Sequence, residues 1–204
     1  MKVAIVDYGM GNIRSIVGSL KFLGVEDIVL TASFEELRQA DRLILPGVGS
    51  FGQAIGGIRT MQLDQFLDDL ILGDKKPILG ICLGMQLMCK YSNEDGENRG
   101  LNFVDAVVER FEDENLLIPH VGFNQVNPFE SSRLFDGLAG QPDFYFTHSY
   151  RMLMNDKNAN YTTCHYGSEF VASFEMENIA GVQFHPELSQ MNGLKLIKNF
   201  LDKF

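Results

Sequence analysis

The chain opens on a nearly continuous apolar run, Lys2 to Asp7, of the kind buried on both faces of a parallel sheet. After the break "YGMGN", the apolar residues Ile13, Ile16, Val17, Leu20 and Leu23 recur at helical spacing, with Asn12 as the cap and Gly24 as the terminator. "DIVLT" reads as a second strand, and "SFEELRQA" as a short helix opened by a Ser33–Glu36 capping box. "RLILPGVG" is a third strand running into a glycine-rich turn. A less regular helical stretch follows, with Leu63, Phe66, Leu67, Leu70 and Ile71 on one face. "KPILGICLGMQLMCKY" then predicts a strand to Ile81, a turn at Cys82 and a helix to about Tyr91. Strands alternating with helices imply βαβ units and a parallel sheet.

The second half has a different grain. "LNFVDAVVERF", "LLIPHVGFNQV", "DFYFTHSYRML", "YTTCHYG" and "EFVASFEMENIAGVQF" are strand-rich and separated by turn residues, which predicts hairpins. A last amphipathic helix carries Leu194, Leu196, Ile197, Phe200 and Leu201. The expected architecture is α/β: a mixed, mostly parallel sheet flanked by helices, with an antiparallel extension, in a single domain over residues 1–204. No internal repeat or low-complexity linker interrupts it.

Composition narrows the function. At 204 residues and 45% hydrophobic the chain is long enough for one full core. A formal charge of −10 without a Lys/Arg cluster argues against a nucleic-acid partner. The first apolar run is too short for a signal peptide or a membrane span, so a soluble, cytoplasmic protein without membrane association is expected. The three cysteines, Cys82, Cys89 and Cys164, form no CxxC pair and are expected to be reduced. His120, His148, His165 and His185 are scattered singly, so neither a metal nor another cofactor is expected.

One short segment carries candidate chemistry. Gly80-Ile81-Cys82-Leu83-Gly84 has the form G-x-C-x-G, the cysteine counterpart of a nucleophile elbow. Such a turn lifts the nucleophile above the carboxyl edge of the sheet, and its glycines are needed where side chains would clash. The positive end of the following helix favours thiolate, and the amide of Leu83 is free to face an oxyanion. The competing reading is a buried cysteine in a glycine-lined turn. Cys89, on the apolar helix face, and Cys164, in a strand-like run, read as small core residues.

A nucleophilic cysteine needs a base, and the base an orienting group. "GVQFHPELS" supplies both: His185 and Glu187, two apart after a strand, project to one side, with Pro186 restricting the backbone between them. "LPGVGSFG", Leu45 to Gly52, is a second glycine turn at a strand end. Its backbone amides suit either an oxyanion hole or a plain tight connection.

Taken together, "DYGMGNIRSI", "LPGVGSFGQA", "GICLGMQLM", "PHVGFNQV", "YFTHSYR" and "VQFHPELS" resemble, in order and near spacing, the class I, triad-type glutamine amidotransferases. The branch they are most similar to is the glutaminase subunits of imidazole glycerol phosphate synthase. The resemblance covers essentially the whole chain. It implies Cys82 as nucleophile, His185 as base and later acid, Glu187 as orienter, and L-glutamine as substrate. It also implies that Gln86, Glu94, Ser149 and Tyr150 hold glutamine's α-amino and α-carboxylate groups, and that Gly47, Val48 and Gly49 form the oxyanion strand together with the Leu83 amide. Without the resemblance, Gln86 reads as a solvent-facing helix residue and Glu94 as an ordinary loop charge.

The resemblance further implies a separate partner, a HisF-like (βα)8-barrel synthase subunit that receives the ammonia in a heterodimer. Two positions on the side that meets the barrel depart from this branch. Phe123 stands where Trp is usual and Leu188 where Lys is usual. These departures concern docking and gating, not glutamine hydrolysis. Two acceptors therefore stay open: the imidazole glycerol phosphate precursor in histidine biosynthesis, and a nucleotide sugar amidated to an acetamidino group for surface polysaccharide.

Overall fold

The structure, a computed structural model, describes residues 1–112 and 116–204. In chain order the first half comprises β1 (Lys2–Val6), α1 (Ile13–Phe22), β2 (Asp27–Thr31), α2 (Phe34–Gln39), β3 (Arg42–Leu45), α3 (Phe51–Thr60), α4 (Leu63–Asp68), β4 (Ile78–Ile81) and α5 (Leu83–Leu87). The second half comprises β5 (Tyr91–Ser92), β6 (Asn98–Arg99), β7 (Ala106–Arg110), β8 (His120–Asn127), β9 (Asp143–His148), β10 (Tyr150–Met154), β11 (Asn160–Tyr166), β12 (Ser168–Met176), β13 (Ile179–Val182) and α6 (Gln190–Lys203). A π-turn over Asp69–Gly73 prolongs α4, and a 3-10 turn over Pro186–Leu188 precedes α6.

The sheet is mixed, as expected. Its order runs β2-β1-β3-β4-β13-β12-β10-β7-β5-β6, and β11, β8 and β9 branch from β12. β2, β1, β3, β4 and β13 pair in parallel, and β13 then pairs antiparallel with β12. Thus β13 joins the two halves. Both faces of the parallel part are buried: along β1, Ala4 and Val6 join the core under α2 to α5, while Val3 and Ile5 join the core under α1 and α6. Full burial on both faces accounts for the unbroken apolar run at the chain start.

Three local expectations change. Asn12 precedes α1 but makes no side-chain cap. The Ser33 hydroxyl accepts from the Glu36 amide at 3.5 Å, yet Glu36 turns its carboxylate to the Thr31 hydroxyl and so completes no reciprocal box. The helix after Cys82 ends at Leu87 instead of near Tyr91. There the amides of Leu101 and Phe103 donate to the carbonyls of Leu87 and Met88 at 2.7 and 2.9 Å, which pulls the chain away from the helix axis. In addition, "DFYFTHSYRML" is two strands broken at Ser149. β9 pairs with β8, whereas β10 pairs with β7 and β12. Among the described residues, no helix is long and apolar enough to cross a membrane.

Candidate active site

β4 and β13 are adjacent and parallel, with Val182 opposite Ile81, so the residues that follow them emerge at one edge of the sheet. The Cys82 amide donates to the Val182 carbonyl at 2.8 Å, which fixes the elbow to the strand that leads into His185. Cys82 takes φ 53° and ψ −112°, a strained conformation for a residue with a side chain. The flanking glycines are sterically required. A Cβ on Gly84 would stand 1.9 Å from the Leu45 carbonyl oxygen, and one on Gly80 would lie 2.8 Å from the Met85 backbone.

The structure brings His185 and Glu187 together, though not by strand alternation. His185 is extended, and Glu187 sits in the turn led by Pro186. His185 Nδ1 lies 2.8 Å from Glu187 Oε1. The backbone around the imidazole is held on both sides: its amide donates to the Tyr145 carbonyl at 2.8 Å, and the Ser189 hydroxyl donates to its carbonyl at 2.6 Å. His185 Nε2 is buried and has no hydrogen-bond partner, and Cys82, which lines the same cleft, is close enough to act on the imidazole. Burial disfavours the imidazolium, but Cys82 and Glu187 outweigh it and raise the His185 pKa to about 10. This environment favours the proton on His185, where it can serve a leaving group.

Asn12 is the unexpected member of this group. Its Nδ2 donates to Glu187 Oε1 at 3.1 Å, the same oxygen that engages His185. A residue read from sequence as a helix cap thus braces the orienting carboxylate. Asn12→Ala is expected to lower kcat for glutamine hydrolysis about tenfold, the worth of one charge-assisted hydrogen bond, with KM little changed. Steady-state glutamate release checks this. A raised KM with kcat intact would assign Asn12 to ligand binding instead.

Cys82 opens into a cleft of about 340 Å³, near the lower end for small-molecule sites and suited to an amino acid. Val48, Gly49, Leu83, Gln86, Glu94, Ser149, Tyr150 and His185 line it, whereas Gly47 is not part of its lining and packs against Leu83 and Gly84. Gln86 is buried, contrary to its reading as a solvent-facing helix residue. Its amide nitrogen donates to the Tyr150 carbonyl at 3.0 Å and to Gln183 Oε1 at 2.8 Å, leaving its oxygen for a ligand. Glu94 is half-buried and accepts from the Phe51 amide at 3.0 Å. Burial raises its pKa above the ordinary carboxylate value, the Phe51 amide opposes this, and Asp95 adds to it. A neighbouring ammonium would relieve that strain.

Three further lining or supporting residues carried no clear sequence signal. Tyr8 donates its hydroxyl to the Pro46 carbonyl at 2.6 Å and so anchors the "PGVG" turn, in which Gly49 has φ +101°. Burial, with Cys82 adding to it, pushes the Tyr8 phenol far up, so it stays a neutral donor. Gln183, fully buried, points its Nε2 at Cys82 Sγ from 3.8 Å. A glutamine inside the apolar strand end "GVQF" was the one cue to it. His148 lies at the cleft wall and, contrary to the expectation of isolated histidines, contacts His120 across β8 and β9 at 3.1 Å.

Cys89 and Cys164 are buried, and burial pushes each thiol up to about 12, as suits small core residues. Phe123 and Leu188 are 47% and 40% exposed. Phe123 packs edge-on against Tyr145 at 5.6 Å, and the Tyr145 amide donates to the hydroxyl of Ser189, next to Leu188. Among the described residues, no three His, Cys, Asp or Glu side chains are grouped as metal ligands.

Known proteins resemble this chain in fold and in sequence. Solved structures titled glutamine amidotransferase and PurLQS from Thermotoga maritima superpose with TM-scores of 0.77 and 0.75 at 20% and 17% identity. They cover 99% and 98% of this chain and 98% and 97% of their own, a likeness of fold. Imidazole glycerol phosphate synthase subunit HisH of Pelagibacter ubique is 37% identical over 99% of this chain and 100% of its own. Subunit HisH 2 of Vibrio vulnificus is 42% identical over 99% and 94%, and subunit HisH of Aquifex aeolicus 40% over 100% and 97%. The family model described as glutamine amidotransferase class-I matches residues 4–204, and with a cysteine elbow, a carboxylate-held histidine and an amino-acid-sized cleft at one sheet edge, the chain belongs to that family.

Proposed function

We propose that this chain is the glutaminase subunit of an imidazole glycerol phosphate synthase, acting in the cytoplasm as one domain over residues 1–204. It hydrolyses L-glutamine and passes the ammonia to a HisF-type (βα)8-barrel partner in histidine biosynthesis. The observation that carries the chemistry is His185, held by Glu187 at 2.8 Å and turned toward Cys82 at the mouth of the cleft. The pathway rests on the near-full-length relatives, whose names are those of this synthase subunit. The surface-sugar acceptor draws no support from them.

In this reading the Cys82 sulfur attacks the side-chain carbonyl carbon of glutamine, and a C–S bond forms as the carbonyl electrons move to oxygen. The amides of Leu83 and of the Gly47–Gly49 strand receive the oxyanion. His185 gives its proton to the amide nitrogen, the C–N bond breaks, ammonia leaves, and a thioester remains. His185 then takes a proton from water, hydroxide displaces the sulfur, and glutamate departs. Gln86, Glu94, Ser149 and Tyr150 hold the α-amino and α-carboxylate groups. Phe123 and Leu188 meet the barrel, beside the β9 strand that also holds the His185 amide.

The test mixes the full chain with the HisF of its own organism, glutamine and the ribulosyl aminoimidazole carboxamide nucleotide. Glutamate and imidazole glycerol phosphate are expected at matched rates. If the two proteins neither bind nor activate each other, the ammonia serves another acceptor, and the pathway half of the proposal falls.

A further inference from the structure

The histidines outside the candidate triad raise a question that glutamine cleavage leaves open. His120 and His148 are both buried and face each other across the β8–β9 pair, Nδ1 of His120 lying 3.1 Å from Nε2 of His148. His120 is sandwiched between Phe146 and Tyr166, with ring centroids 4.9 and 4.0 Å away. His148 packs on Phe170 and Phe111 at 5.1 and 5.4 Å.

Their hydrogen bonds have one direction. The Tyr150 carbonyl can only accept, so His148 Nδ1, 2.7 Å away, carries the proton. A neutral His148 then accepts at Nε2, which makes His120 Nδ1 the donor. His120 Nε2 in turn accepts from Asn124 Nδ2 at 3.4 Å. Burial favours the neutral forms throughout, lowering His148 to about 3 and His120 to about 4. At the other end the Tyr150 carbonyl also accepts from Gln86, which donates to Gln183, which donates to Cys82 Sγ. A single hydrogen-bonded chain therefore runs from the thiol to Asn124, the residue after exposed Phe123 on β8.

We propose that the His148–His120 pair is a positioning element for glutamine cleavage. It sets the Tyr150 carbonyl that orients Gln86 toward bound glutamine, and it carries the position of β8 at the partner face into the cleft. Asn124 and Phe123 point to opposite faces of β8, so a partner pressing on Phe123 moves the backbone that both share. The proposal rests on the glutaminase reading given above and adds residues which that reading does not use.

The test compares His148→Phe, which fills the space without a donor, with His148→Asn, whose amide can occupy the Nδ1 position. Glutamine kinetics are measured on the full chain with and without the HisF-type barrel. His148→Phe is expected to raise KM for glutamine about tenfold, the worth of one buried hydrogen bond, with a much smaller change in kcat. His148→Asn is expected to restore KM to near wild type. Equal behaviour of the two folded variants, or an unchanged KM in His148→Phe, overturns the proposal. Should His148→Phe not fold, Asn124→Ala decides: the activation of glutamine turnover by the barrel is expected to fall with barrel affinity unchanged, and undiminished activation overturns it. Nitrogen NMR of labelled histidine is independent of glutamine. Neutral Nδ1–H tautomers at both residues near pH 6 are required, and a cationic or Nε2–H form at either rejects the chain of bonds. If the wild type hydrolyses no glutamine while the tautomers are as expected, the glutaminase reading fails and the hydrogen-bonded chain stands.

Discussion

Cys82→Ala is expected to abolish glutamine hydrolysis, with a loss of at least about 10⁴-fold in kcat, because removal of a covalent nucleophile leaves only binding and oxyanion stabilisation. The fold should persist. The side chain is small and opens into the cleft, so its loss leaves no sealed cavity, and the backbone bond from residue 82 to the Val182 carbonyl remains. Partner docking should persist as well, since Phe123 and Leu188 lie on the surface and not in the elbow. A second readout follows from the electrostatics of the pair. With the sulfur gone, one of the two groups that favour the His185 imidazolium against burial is lost, so the His185 pKa should fall. Glutamate release, circular dichroism and proton NMR of His185 together check the prediction. Retained hydrolysis in a folded variant would remove Cys82 from the mechanism.

Gly84→Ala should be strongly destabilising although it adds a single methyl group. Position 84 lies in a helix, where alanine is ordinarily favoured over glycine by about 1 kcal/mol. Here packing decides the sign. The new Cβ would stand 1.9 Å from the Leu45 carbonyl oxygen and 2.8 Å from its carbon, both backbone atoms of a buried strand that cannot swing away. Relief requires α5 or β3 to move by more than an ångström, at a cost of about 3 kcal/mol or more, and it would displace Cys82 from His185. For a domain of this size that cost lowers the thermal midpoint by roughly 6 to 12 °C. Activity should fall with it. Calorimetry with glutaminase kinetics tests both, and a midpoint within about 2 °C of wild type would mean that the elbow is looser than its contacts imply.

Much of this site was legible along the chain because its chemistry is local. Cys82 is announced by the glycines on either side, which a strained strand-to-helix turn requires. His185 and Glu187 lie two residues apart, so the proposed base and its proposed orienter could be paired without knowing the fold, although Pro186 joins them through a tight turn instead of a strand. Gln86 and Glu94 were legible only through resemblance. Periodicity places Gln86 on a helix face, and nothing in that pattern says that β10 and β13 close over that face to bury it. Asn12 and Glu36 show how a local rule can name the right residue type and the wrong partner. A polar side chain before a helix caps it only when its oxygen accepts from the first-turn amides, and Asn12 instead uses its amide nitrogen to donate to Glu187, 175 residues away in sequence.

By itself, the sequence determined the order of strands and helices, the apolar faces they bury, the elbow, and the His-Pro-Glu segment, since each depends on spacings of a few residues. Tertiary structure alone decided that β13 lies parallel beside β4, which sets the thiol next to the imidazole. It also decided that β8 and β9 pair in the register that puts His120 against His148, and that Asn12 reaches Glu187. Those contacts come from strand pairings and packing across long stretches of chain, and pairing energy depends on which surfaces meet, a quantity that no local pattern encodes.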